Sequence, residues 1–116
     1  MDITETSFAE TLKNNEIVFV GFWAGWCGPC RMFTLTYEAV AGKHADIVFA
    51  KVDTEAEQSL AGSANITSIP TLMAFKNQTL VFSQAGALNA AALEQVMEAV
   101  RRLDVDLHLA EGAQQN

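Results

Sequence analysis

Cys27 and Cys30 are the only cysteines in the chain, and they stand two residues apart in the run Trp23-Ala24-Gly25-Trp26-Cys27-Gly28-Pro29-Cys30. On a helix, side chains three residues apart approach to about 5–6 Å, which suits the roughly 4 Å Cβ separation of a disulfide. A cystine that closes so short a loop restricts little of the unfolded chain, so stabilisation is a poor reason for it. Reversible thiol–disulfide exchange is the better one. Two other readings compete. An inert buried pair sits badly with Gly28 and Pro29, which fit an exposed helix start. A metal or iron–sulfur centre would need two copies of the dithiol from separate chains. His44 and His108 have neither the spacing nor the neighbours of a zinc site, so the sequence assigns this chain no metal and no cofactor.

A dithiol that works by exchange needs a rigid junction, and the flanking pattern supplies one. Glu16 to Trp23 is almost continuously apolar and rich in β-branched and aromatic residues, the pattern of a central strand buried on both faces. From Gly28 to about Lys43, the residues Met32, Phe33, Leu35, Tyr37, Val40 and Ala41 recur at helical spacing, with Pro29 tolerated in the first turn. The cysteines therefore mark a strand-to-helix switch. Upstream, the spacing of Ser7 and Glu10 predicts a capping box and a short helix from about Phe8 to Asn14. Downstream, Ile47 to Val52 reads as a buried strand and Glu55 to Ala64 as a helix. Pro70 opens a strand over Thr71 to Lys76, Asn77-Gln78 turns, and Thr79 to Ser83 returns as a hairpin arm. Asn89 caps a last helix to about Leu103, with Leu93, Val96, Met97 and Val100 inward. Trp23 reads as core, and Met32, Met73 and Met97 as core filler. Residues 1–104 are expected to form one domain and 105–116 a frayed tail.

Composition narrows the function. The length suits one domain, half the residues are hydrophobic, and the formal net charge is −7, which disfavours a phosphate-binding surface and hence a nucleic-acid partner. The opening residues lack the charge and apolar run of a secretory signal, and no apolar stretch is long enough to span a bilayer. The expectation is a cytoplasmic monomer with no membrane partner, where a Cys-x-x-Cys pair is more often catalytic or metal-binding than structural.

The ordered set Trp26-Cys27-Gly28-Pro29-Cys30, Lys51 within Ala-Lys-Val-Asp, Ile69-Pro70-Thr71, the turn after Phe75-Lys76-Asn77, and Gly86 before Ala87-Leu88 resembles the thioredoxin family over roughly Ile3 to Leu103. That resemblance implies a thioredoxin fold, an α/β architecture with a central mixed sheet of four to five strands and helices on both faces. It implies a protein-disulfide reductase that acts on disulfide-containing client proteins and is recharged by a thioredoxin reductase. At the start of a helix, unsatisfied N–H groups and the positive dipole end favour a thiolate, so Cys27 is expected to be the nucleophile and Cys30 the resolving thiol. By the resemblance, Pro70 is a cis proline facing the dithiol, Ile69 offers main-chain hydrogen bonds to the client, and Trp26, Gly25, Ile69, Ala85, Gly86 and Ala87 form an apolar rim. Gly28 and Pro29 support the motif, and Lys51 lends secondary electrostatic help.

The departures are as informative as the matches. Gly21 stands where the family usually has a buried aspartate, Leu35 where it commonly has a helix-kinking proline, and Gln78 where it has a turn glycine. Without the aspartate, Cys30 must lose its proton to water or to the departing sulfur, and Lys51 is expected to lack its anion and turn outward. Gly21→Asp is expected to speed release of the partner. The same departures admit a different kind of protein, a redox-inefficient binding module or holdase that keeps the fold and loses the turnover.

Overall fold

The computed structural model describes residues 1–103; residues 104–116, which include the expected frayed tail, lie outside the described residues. Eight elements follow one another: α1 (Glu5–Asn14), β1 (Ile17–Trp23), α2 (Gly28–Ala41), β2 (Val48–Asp53), α3 (Gln58–Ser63), β3 (Thr71–Lys76), β4 (Thr79–Ala85) and α4 (Ala90–Arg102). The strands form one mixed sheet in the order β2-β1-β3-β4, parallel between β1 and β2 and antiparallel elsewhere. Four strands is the lower of the two expected counts. The segment before α1 contributes only an isolated bridge between Asp2 and Lys51, with Ile3 N donating to Lys51 O at 2.9 Å.

β1 is buried almost throughout because the sheet is covered on both sides. Alternate side chains of a strand point to opposite faces. Ile17 and Phe19 accordingly meet Phe33, Tyr37 and Val40 of α2 and Leu93, Met97 and Val100 of α4, while Val18, Val20 and Phe22 join Leu12 of α1 and Leu60 of α3. Helices α2 and α4 thus share one face, and α1 and α3 the other.

Several boundaries move from their expected places. α1 is capped at Thr4, three residues earlier: Thr4 Oγ1 accepts from Ser7 N and Ser7 Oγ accepts from Thr4 N, so Ser7 closes the box from inside the helix and Glu10 takes no part. α3 begins at Gln58 rather than Glu55, because the Asp53 carboxylate accepts from Glu55 N and Ala56 N and holds a turn there. Met32 and Leu35, expected on the inner face of α2, are 73% and 70% exposed; the buried stripe is Cys30, Phe33, Tyr37 and Val40. The hairpin turns at Asn77 and Gln78, both with positive φ (49° and 67°), as a two-residue turn of primed type requires.

At the far end of the sheet, Lys76 is buried, and its Nζ donates to the carbonyls of Val100, Arg101 and Leu103 at 3.0, 2.8 and 2.6 Å. Those are carbonyls of the last turn of α4 and its C-cap, where helical partners run out; Val100 O also accepts from Leu103 N at 3.2 Å, and the strand lysine completes the C-terminal cap.

Candidate active site

β1 delivers the chain through Ala24 and Gly25 to Cys27, which is the N-cap of α2 with extended backbone (φ −87°, ψ 112°). The Cys27 Sγ accepts from the backbone N–H of Cys30 at 3.2 Å. Cys27 and Cys30 are joined as a disulfide, with Cα atoms 5.2 Å apart. Cys27 is 5% exposed and Cys30 1%, so the exposure order matches expectation although the opening onto the first sulfur is narrow. Arg31 folds back, and its Nε and NH2 donate to Gly25 O at 3.1 and 2.8 Å, which ties the loop before the dithiol to the helix after it.

The sheet register brings the second motif alongside. Phe22 pairs with Thr71, so Pro70 lies beside the end of β1, and the Ile69–Pro70 bond is cis. Cys27 Sγ lies 3.9 Å from Ile69 O. Gly86, at φ +100°, donates its N–H to Pro70 O at 2.8 Å; a side chain would be strained in that conformation. Trp26 is 67% exposed, and its indole N–H donates to the Glu55 carboxylate. Trp26 and Ile69 border one shallow depression, and Gly28, Pro29 and Ala87 border another. Of the residues expected at the rim, Trp26 and Ile69 share the first depression and Ala87 borders the second, while Ala85 lines a third with Ser68 and Thr71. Glu55 was not foreseen, since nothing in the sequence links a residue on the turn before α3 to the active-site tryptophan.

Beneath the dithiol, Gly21 is buried, and a Cβ built there would lie 3.8 Å from Tyr37 Cε2 and 3.9 Å from Ala50 O. The Tyr37 ring lies at ordinary contact distance from that position, and its hydroxyl shares its single proton between Phe19 O (2.8 Å) and Ala50 O (3.0 Å). Burial pushes the phenol well above its ordinary ionisation range, opposed by the hydrogen bond to Ala50. A neutral phenol committed to two carbonyls is no proton acceptor. A carboxylate at position 21 would be buried beside that ring, so Gly21→Asp would carry a desolvation cost alongside the faster release expected of it.

Lys51, opposite Gly21 in the register, needs a correction. Its Nζ pairs with Glu38 Oε1 at 3.1 Å and lies 5.4 Å from the centre of the Trp23 ring. It has an anion after all, supplied by α2, and the ammonium is directed at Glu38 and Trp23 rather than at the sulfurs. Trp23 itself is half-buried rather than fully core.

A helix-capping dithiol facing a cis proline, on a mixed sheet covered by helices on both faces, defines a thiol–disulfide oxidoreductase of thioredoxin fold. The sequence model of the thioredoxin family matches residues 1–99. A putative thioredoxin 2 from Streptomyces coelicolor is 48% identical over 106 residues, covering 91% of this chain and 79% of that one. A thioredoxin of Mycobacterium tuberculosis is 41% identical over 93 residues, covering 78% and 80%. Among solved structures, thioredoxin from Plasmodium falciparum superposes with a TM-score of 0.79 at 36% identity, covering 84% of this chain and 96% of that one. A mutant thioredoxin from Halobacterium salinarum gives 0.82 at 28%, covering 90% and 92%. The chain belongs to the thioredoxin family, and the redox-inefficient module is not favoured.

Proposed function

We propose that the protein reduces disulfides of client proteins with Cys27 as the nucleophile and Cys30 as the resolving thiol. The observation that carries this is the placement of Cys27 Sγ, which accepts a helix N-terminal N–H from Cys30 and lies 3.9 Å from Ile69 O. In the reduced protein the same N–H and the positive end of α2 favour the Cys27 thiolate. That thiolate attacks one sulfur of the client disulfide; the client S–S bond breaks, a mixed disulfide forms, and the client's other sulfur leaves as a thiolate. Cys30 then gives up its proton and attacks Cys27 Sγ. The mixed disulfide breaks, and the client departs with two thiols while the enzyme keeps the Cys27–Cys30 bond. With Gly21 in place of a carboxylate, the Cys30 proton passes to water or to the departing client sulfur.

The client is read as an extended segment, its backbone against Ile69 and Pro70 and its side chains against Trp26, Gly86 and Ala87, with Gly28 and Pro29 keeping the approach low. Lys51 contributes at most through the Trp23–Glu38 cluster. A separate thioredoxin reductase returns the electrons, because the sequence has no glycine-rich nucleotide motif. The functional unit is residues 1–104, acting as a monomer in the cytoplasm; no described helix is long and apolar enough to cross a membrane. The test is turnover of an insulin-type disulfide with a thioredoxin reductase. Cys30→Ser should accumulate a mixed disulfide with the client and Cys27→Ser should not; the reverse pattern would reassign the two sulfurs.

A further inference from the structure

The three most exposed large apolar side chains among the described residues, Met32, Leu35 and Trp26, all stand within five residues of the dithiol. Met32 and Leu35 lie on the outward side of α2, three residues apart and so neighbours on its surface. Apolar surface gathered in one place marks a contact site rather than a solvated face. We propose that this flank of α2 selects the client: it receives an apolar side chain two residues from the client cysteine that Cys27 attacks, so disulfides set in apolar sequence are preferred. The inference rests on the reductase reading above.

Charge, shape and reach select this occupant. α2 has two charged residues, Arg31 and Glu38, seven apart and therefore on one side of the helix. Both are engaged there, Arg31 with Gly25 O and Glu38 with Lys51 of β2. Pro29, Met32 and Thr36, at i, i+3 and i+7, form a different flank that carries no charge. That flank borders a depression of about 650 Å³, lined by Pro29, Met32, Phe33 and Thr36 of α2 and by Ala87 and Leu88 among others. No residue lining it is charged, on a chain whose net charge is −7, and the Asn89 carboxamide at its edge is held as the cap of α4. The depression is continuous with the dithiol, because Gly28, the residue after Cys27, lines it too. Met32 lies about 6 Å along the helix axis from Gly28 at roughly 1.5 Å per residue, and two residues of extended client span about 7 Å at roughly 3.3 Å per residue. In an extended segment a side chain two positions from the cysteine shares its face, so it meets α2 when the cysteine meets Cys27. The depression at Trp26 is of another character, bordered by Thr54, Thr67 and Ser68, with the Glu55 carboxylate on the indole. Apolar selection therefore falls to α2.

The test is single-turnover stopped flow with the pre-reduced full chain and two peptide disulfides, which differ only in carrying Leu or Asn at both positions two residues from one cysteine. The Leu peptide is expected to react with a second-order rate constant about tenfold higher. The uncharged variant M32Q/L35N should bring that ratio within about twofold. Equal rate constants for the two peptides, or a ratio that survives M32Q/L35N, would overturn the proposal. A small aromatic disulfide, too short to reach Met32, reports the dithiol alone and should react with parent and variant alike. A variant slowed on it as much as on the Leu peptide has a damaged dithiol, which also overturns the proposal. A parent that reduces none of the three overturns the reductase reading itself, and this inference with it.

Discussion

The N-terminus of α2 and the C-terminus of α4 lie at opposite ends of the sheet, and each is closed by a side chain outside the helical ladder. At α2 the cap is the Cys27 sulfur accepting one N–H; at α4 it is the Lys76 ammonium donating to three carbonyls. Both use the charge that a helix accumulates at its ends. The difference is in what remains free. Lys76 commits its three protons to backbone carbonyls and is buried, so that end is locked. Cys27 is as deeply set, but its sulfur accepts one N–H and is otherwise held by a disulfide, a bond that thiolate exchange can break, so it can change partners. Reactivity here is a cap left incomplete, and anchoring is the same electrostatics completed.

Substitutions at the two ends should therefore have opposite consequences. The largest effect is expected for Cys27→Ser, which should reduce disulfide turnover to background. Serine is itself a good N-cap, so the melting temperature should stay close to that of the reduced parent. Lys76→Met should do the converse, lowering stability in urea by about 2–4 kcal/mol as charge-assisted bonds to buried carbonyls are lost, with turnover per folded molecule retained. A Lys76 variant that loses turnover while folded, or a Cys27→Ser variant that unfolds, would break the comparison.

Between these ends, Gly21 and Tyr37 sharpen it. Gly21→Asp should destabilise by about 2–3 kcal/mol, because a carboxylate would be buried against an aromatic ring. The double variant G21D/Y37L should recover part of that loss and release the client faster near neutral pH, which stopped-flow kinetics would read. The smallest effect is expected for Tyr37→Phe, about 1–2 kcal/mol as the proton shared between two buried carbonyls is lost. Its signature is alkaline. The folded-state phenol is raised above its ordinary 10.0, so the folded chain holds that proton more tightly than the unfolded chain. The resulting stability is whole below pH 10.0 and is lost as pH climbs through the folded-state value. Tyr37→Phe should flatten that decline, and because Tyr37 is the only tyrosine, phenolate absorbance reports on it alone.

Much of this was legible in the sequence where one residue type has one structural use. The span of β3 is as read, β1 and α4 differ by a residue at their ends, and Cys27, Pro70 and Gly86 meet where their motifs imply. What was not legible depends on pairs distant in sequence. Tyr37 complements Gly21 only because α2 lies across β1, and Glu38 finds Lys51 for the same reason. Lys76, an ordinary strand-end lysine by pattern, is buried because α4 ends over it. Met32 and Leu35 misled because helical spacing reports that a stripe exists, and its edges depend on which elements pack against it. The start of α1 was missed because two hydroxyls, Thr4 and Ser7, satisfied each other where a glutamate was expected to do so.

The hairpin at Asn77 and Gln78 carries one more implication. Both residues hold a backbone conformation that suits glycine better, and they sit at the end of the sheet away from the sulfurs. The molecule thus keeps a small conformational debt where no client is read to dock, so lineages or engineers can retune its robustness at that tip without disturbing electron exchange.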